Sequence, residues 1–114
     1  MQVIDPRDVK QQAMEMPEAE GVRMRVLVGP EQGAPTSVMR QFEIEPGGHT
    51  PLHSHAWEHQ IFILSGEGEL ASADMRLPLV PGAAAVVPPG ETHQFVNTGR
   101  DVMCFLCIIP AETQ

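Results

Sequence analysis

The sequence predicts an all-β fold, a sandwich or barrel, on three observations. Ten glycines and eleven prolines cut the 114 residues into short pieces, and strand-length pieces between turn residues are the mark of all-β folds. Within the pieces apolar and polar residues alternate with a period of two, as on a half-buried strand. After residue 20 no stretch carries a convincing amphipathic-helix pattern.

Taken in order, residues 1–21 are the least defined part. Asp8 to Met16 suits either a short helix or an edge strand, and Pro17 ends it either way. Val22 to Val28 places Val22, Met24, Val26 and Val28 on one face of a strand. Gly29 to Pro35 reads as a loop and Ser37 to Ile44 as the next strand, with Val38, Arg40, Phe42 and Ile44 in phase. Glu45-Pro46-Gly47-Gly48 reads as a turn. Ile61 to Leu64 is an apolar strand closed by Ser65-Gly66-Glu67-Gly68, and Glu69–Ala73 with Met75–Leu79 reads as a hairpin around Asp74. Strands over Ala83–Val87, His93–Asn97 and Val102–Ile109 follow, separated by Pro88-Pro89-Gly90-Glu91 and Thr98-Gly99-Arg100. There is no internal repeat, low-complexity tract or linker.

Composition narrows the function classes. Fifteen acids against seven bases give a formal charge of −8, which repels a phosphate backbone and argues against nucleic acid as a partner. No run approaches the roughly 18 apolar residues of a membrane span, and MQVIDPRDVK lacks the apolar core of a secretory signal. Two cysteines without such a signal read as reduced thiols, and the expected location is cytoplasmic. Cys104 and Cys107 form a CxxC, but on a strand they point to opposite faces with Cα atoms about 10 Å apart, too far for a disulfide. With only four Phe, one Trp and no Tyr, the core rests on Val, Leu, Ile, Met and Ala.

The candidate chemistry lies in Gly47 to Gly66, which holds four of the five histidines. His53 and His55 are two apart and share a face if extended; His59 follows at the head of the Ile61–Leu64 run. One histidine remains downstream, His93. If the two segments face each other across a small barrel, these four imidazoles surround one metal ion.

These residues resemble the two motifs of the cupin family. In the first, Gly47 leads at the family spacing to His53 and His55, then to His59, where the family usually has Glu, and to Gly66. Glu58 stands one residue short of that position. In the second, Gly82, Pro88, Gly90, His93 and Asn97 fit every place. The resemblance implies a cupin jelly-roll, or double-stranded β-helix, barrel. It would span 1–114 as one domain, with 1–21 an N-terminal arm and 22–110 the barrel. Its all-histidine set is similar to the small single-domain cupins of the cupin-2 conserved barrel type. It implies one divalent transition metal per chain, Mn, Fe, Ni, Cu or Zn, held by His53, His55, His59 and His93.

Four neutral imidazoles leave a divalent ion its full charge, which favours anionic chelating oxygens. Strand parity then sketches the cavity. If His59 points in, so do Ile61 and Ile63, while Phe62 and Leu64 face out and need cover. With Val3 and Ile4 on a free arm, that suggests a homodimer. If His93 points in, so do Phe95 and Asn97. On the last strand Cys107 is expected inward with Met103, Phe105 and Ile109; the cupins it resembles carry a similar Phe-Leu-Cys there. Catalytic candidates are Arg40, which shares the inward phase of Phe42, Cys107, and His49. His49 sits on the rim, where a solvated loop residue is the simpler reading. Trp57 reads as a packing anchor or lid, and alternation turns Glu58 away from His59. The partner is expected to be a small-molecule ligand or substrate. Three functions compete: a dioxygenase-like, metal-dependent oxidoreductase on an anionic or enolisable substrate; a metal-dependent sugar-acid isomerase or lyase; and a non-catalytic binding module.

Overall fold

The computed structural model describes residues 1–113. Among these described residues nine strands form one curled antiparallel sheet: β1 Gln12–Ala13, β2 Glu20–Val28, β3 Ser37–His49, β4 His59–Ser65, β5 Gly68–Ala71, β6 Arg76–Leu79, β7 Ala84–Val87, β8 Gln94–Val96 and β9 Met103–Pro110. The order is β6-β5-β8-β3-β9-β4-β7, with β2 also on β3 and β1 on β2. The all-β expectation therefore holds. Single 3-10 turns stand at Pro6–Asp8, Pro30–Gln32 and Ala111–Thr113, and among the described residues no helix is long and apolar enough to cross a membrane.

Alternation along the strands places the core. On β9, Met103, Phe105, Cys107 and Ile109 are buried while Cys104, Leu106 and Ile108 are half-buried. On β4, His59, Ile61 and Ile63 are buried, whereas Phe62 and Leu64 remain 45% and 42% exposed. Phe105 is the hub of the aromatic packing, stacked on Phe42 at 5.3 Å and tilted against Phe95 at 4.8 Å between ring centroids. Each fully buried side chain of this size contributes roughly 1.5–3 kcal/mol relative to exposure. The two cysteines are unbridged, as their opposite faces require.

One local alternative is decided and one expectation changes. In the N-terminal segment the edge strand wins over the helix: Gln12 and Ala13 pair with Met24 and Arg23 of β2. The turn expected at Glu45–Gly48 is instead the far part of β3, which runs on to His49. The ladder continues because both neighbours supply partners there. Gly47 N–H donates to the Asn97 carbonyl at 3.3 Å, Asn97 N–H donates to the Gly48 carbonyl at 3.0 Å, and His49 lies opposite both Glu20 of β2 and Val96 of β8. Local turn propensity yields to partners distant in sequence. The long strand thereby delivers Thr50 to His55 to the mouth of the barrel.

Candidate metal centre

Each histidine is placed by a strand or by a backbone bridge. His53 and His93 face each other as an isolated antiparallel bridge: His53 N–H donates to the His93 carbonyl at 3.1 Å and His93 N–H to the His53 carbonyl at 2.9 Å. Gly90 N–H donates to the His55 carbonyl at 2.6 Å, tying the second motif to the first. His59 opens β4, in phase with Ile61 and Ile63. The result is a cluster in which ring nitrogens of His53, His55 and His93 all lie within 4.8 Å of one another. The Nε2 atoms of His53 and His55 approach to 3.2 Å.

This cluster holds three histidines, not the expected four. His59 lies beside it, its ring centroid 4.9 Å from that of His93 and 5.1 Å from that of His55. What separates it is a different partner: its Nδ1 sits 3.3 Å from the Cys107 sulfur. Its Nε2 is buried without a hydrogen-bond partner. A buried polar atom left unsatisfied costs about 1–3 kcal/mol, and a metal ion is one group that would satisfy a bare imidazole nitrogen.

The tautomers suit the same role. His93 Nδ1 lies 2.9 Å from the Glu91 carbonyl. A carbonyl only accepts, so Nδ1 carries the proton and Nε2 keeps its lone pair, the arrangement in which a second partner orients a metal-binding imidazole. Several nitrogen donors converging without a carboxylate fit a first-row transition metal such as Zn, Cu, Ni or Fe.

Burial, followed by the neighbouring His93, pushes the pKa of His53 below its ordinary value. Burial, followed by His53, does the same for His55. His59 is pushed down to about 3, by burial first and then by His93 and Arg40. These rings are neutral near pH 7 and available as ligands. In the unfolded chain the same imidazoles protonate near pH 6.5, so below that pH the unfolded state binds more protons. Stability must then rise with pH across the window from about 3 to about 6.5 and be fully present above it. The metal-free protein is accordingly expected to melt at progressively lower temperature from pH 7 to pH 5. His59→Leu should flatten that slope. A melting temperature independent of pH over this range, read by circular dichroism, contradicts the assignment.

The histidines open on a cavity of about 310 Å³. Its walls are Phe42, Phe95, Phe105 and Ile109 from the core, Trp57, and Met14 and Met16 from the N-terminal segment. Trp57 stacks on His55 with centroids 4.6 Å apart and planes 7° from parallel. Arg40 and Cys107 line the cavity as parity predicts. The Arg40 guanidinium lies 5.0 Å over the Phe42 ring and donates through Nη2 to the Cys107 sulfur at 3.3 Å, while its Nε is buried without a partner. Burial raises the Cys107 pKa, with Arg40 opposing, so the thiol stays protonated near neutral pH. Among the described residues the lining contains one fixed cation and no carboxylate, although the chain as a whole carries −8.

His49 is not brought into this cavity. It ends β3 with Nδ1 3.2 Å from the Thr50 carbonyl and 3.3 Å from Gln94 Nε2, because the extended β3 spends that residue on pairing with β2 and β8. Glu58 turns outward and accepts from Gln60 at 2.7 Å. Sequence reasoning missed Met14 and Met16. Their spacing of two was visible, but only the two-residue β1 pairing sets them over the mouth. It also missed Thr50, whose Oγ1 accepts from Phe95 N–H at 2.9 Å and ties two lining segments of the cavity together.

Comparison with known proteins adds a family and several relatives. The profile described as the cupin domain matches residues 40–109. The chain is 32% identical over 77 residues to 1-methylthio-D-xylulose 5-phosphate methylsulfurylase of Rhodospirillum rubrum, covering 68% of this chain and 49% of that protein. It is 33% identical over 70 residues to an oxalate-binding protein of Thermotoga maritima, covering 60% of this chain and 58% of that one. The chain thus spans about half the length of the curated relatives it matches. Among solved structures, the polyketide cyclase RemF of Streptomyces resistomycificus superposes with a TM-score of 0.91 at 34% identity, over 97% of this chain and 80% of that one.

Proposed function

This chain belongs to the cupin family, and from that premise we propose that it holds one divalent transition metal through His53, His55, His59 and His93 and acts on a small anionic, enolisable molecule in the adjoining cavity. The carrying observation is the meeting of three histidine nitrogens within 4.8 Å beside a fourth imidazole whose Nε2 is buried and unpartnered. When bound, such a metal supplies Lewis-acid polarisation of a substrate oxygen. The chain's own residues supply the rest. Neutral imidazoles leave the site's positive charge uncancelled, and Arg40 adds a second cation with an unused N–H, a suitable donor to a carboxylate, phosphate or enolate oxygen. The Phe42, Phe95 and Phe105 rings exclude water from the carbon skeleton and strengthen these interactions by lowering the local dielectric.

We read the chemistry as non-redox enolisation, of the kind that serves cyclisation or isomerisation, with the α-proton passing to water because the lining, among the described residues, offers no carboxylate base. A polyketide cyclase is similar over nearly the whole chain, and the two curated relatives are named for a sugar phosphate and for oxalate, both oxyanions. The test distinguishes this from the dioxygenase-like chemistry that the sequence also raised. Protein purified without added metal is expected to contain about one transition metal per chain. With zinc in its place and under argon, it should still catalyse exchange of the α-hydrogen of β-dicarbonyl or polyketide-like anions into deuterated water, followed by proton NMR. Turnover that requires a redox metal and consumes dioxygen overturns the non-redox reading, and a purified protein that neither contains nor binds metal overturns the whole proposal.

A further inference from the structure

We propose that Cys107 is a positioning residue for the metal centre: its sulfur accepts the Nδ1–H of His59, fixing the tautomer that leaves His59 Nε2 bare toward the cluster, and Arg40 anchors the sulfur. The inference rests on the four-histidine reading above and deepens it.

The contact follows from the strand register. Cys107 stands opposite Arg40 on β3 and opposite Ile61 on β4, and His59 is two residues from Ile61 on the same face. Same-face neighbours across strands, direct or diagonal, lie within reach of long and ring side chains. The sulfur is thus flanked by a guanidinium on one side and an imidazole on the other, each nitrogen at 3.3 Å. Cys107 is 1% exposed and His59 5% exposed, so water does not compete freely for either bond.

The direction of the bond can be assigned. A guanidinium only donates, so toward Arg40 the sulfur is an acceptor. Toward His59 two arrangements are available. If the thiol donated to Nδ1, the imidazole proton would sit on Nε2, buried with no acceptor in reach. If Nδ1–H donates to sulfur, Nε2 is a lone pair on a ring that adjoins His55 and His93, the state a metal requires. An S–H group is also a weak donor compared with an imidazole N–H. His93 uses the same device, its Nδ1 held by the Glu91 carbonyl. In this site a thiol takes the place that a carbonyl or carboxylate holds in most metal-binding histidines. It orients the ring without adding a negative charge, which preserves the cationic character that Arg40 and the neutral imidazoles give the cavity.

Long-range proton–nitrogen correlation NMR of the whole, zinc-stripped, nitrogen-15-labelled protein reads which ring nitrogen carries the proton. In the unaltered protein His59 should show a protonated Nδ1 and a bare Nε2. Cys107→Ala should shift it toward the Nε2-protonated form and weaken zinc binding by about 10- to 100-fold. Cys107→Ser, whose hydroxyl accepts the same N–H, should restore the tautomer and most of the affinity. A protonated Nε2 on His59 in the unaltered protein overturns the proposal without any variant having to fold. So does a Cys107→Ala protein whose His59 tautomer and zinc affinity are unchanged. A protein with the expected tautomer that binds no zinc overturns the four-histidine reading instead, and the role of Cys107 toward a metal falls with it.

Discussion

Replacing His93 with alanine is expected to weaken zinc binding by more than about 100-fold. Loss of a residue that only orients a metal ligand costs about 10- to 100-fold, and His93 is proposed as a ligand itself, held by two separate restraints. Its backbone bridges His53 through two hydrogen bonds, and its Nδ1 is fixed on the Glu91 carbonyl. Alanine removes the ring but keeps the backbone bridge, so the loop geometry that carries His53 and His55 survives and the effect reports the ligand. Competition against a chelating dye measures it, with His49→Ala as the companion variant. His49 lies outside the cavity and should leave zinc affinity unchanged. Zinc at 100 times its dissociation constant should stabilise the unaltered protein by about 2.7 kcal/mol against unfolding, an increment that His93→Ala should lack at the same concentration. If affinity stays within about threefold, His93 is not a ligand, since even an orienting residue costs more than that.

What could be read without the structure was what a period of two or a fixed spacing carries. Along β4 and β9 the alternation puts His59, Ile61 and Ile63 on one side with Phe62 and Leu64 on the other, and sets Cys104 and Cys107 on opposite faces, with the family's Phe-Leu-Cys ending favouring Cys107 as the inward one; the burial along both strands agrees. Two residues of separation put His53 and His55 together. The features that were hidden depend on register between segments far apart in the chain. Nothing local says that β9 pairs with both β3 and β4 so that Cys107 sits between Arg40 and the His59 strand. That pairing is why His59 leans on sulfur. His49 was read as a solvated loop residue on the rim for a related reason: the turn signals before it are local, whereas the strand continues past Gly48 and sets His49 in the sheet's own hydrogen-bonding. The mouth of the cavity was hidden too, because a two-residue strand leaves almost no periodic signal to read.

Gly66→Ala is expected to lower stability by about 2–5 kcal/mol, a large fraction of the roughly 5–15 kcal/mol that holds a domain folded. Two independent penalties add. Gly66 has φ +80°, where a side chain costs about 1–2 kcal/mol. A Cβ there would also stand 2.6 Å from the Val102 carbonyl oxygen and 2.7 Å from the Met103 Cα. Both are backbone atoms at the head of β9 and cannot swing aside as a side-chain tip would, so the overpacking cost of about 1–3 kcal/mol applies. Gly33→Ala separates the two penalties, since its φ is also +80° but nothing lies within 4 Å of the added Cβ; only the conformational part should appear there. Urea denaturation measures both variants, and an unchanged slope with a lower midpoint marks a stability loss. Gly66 lies seven residues beyond His59 along and past β4, roughly 20 Å from the histidines at the strand's rise per residue. The folded fraction of Gly66→Ala should therefore bind zinc as the unaltered protein does. Equal losses in the two variants would mean that β9 is not packed against Gly66 as described, and weakened zinc binding in folded Gly66→Ala would mean that a displaced β9 carries Cys107, and with it His59, out of position.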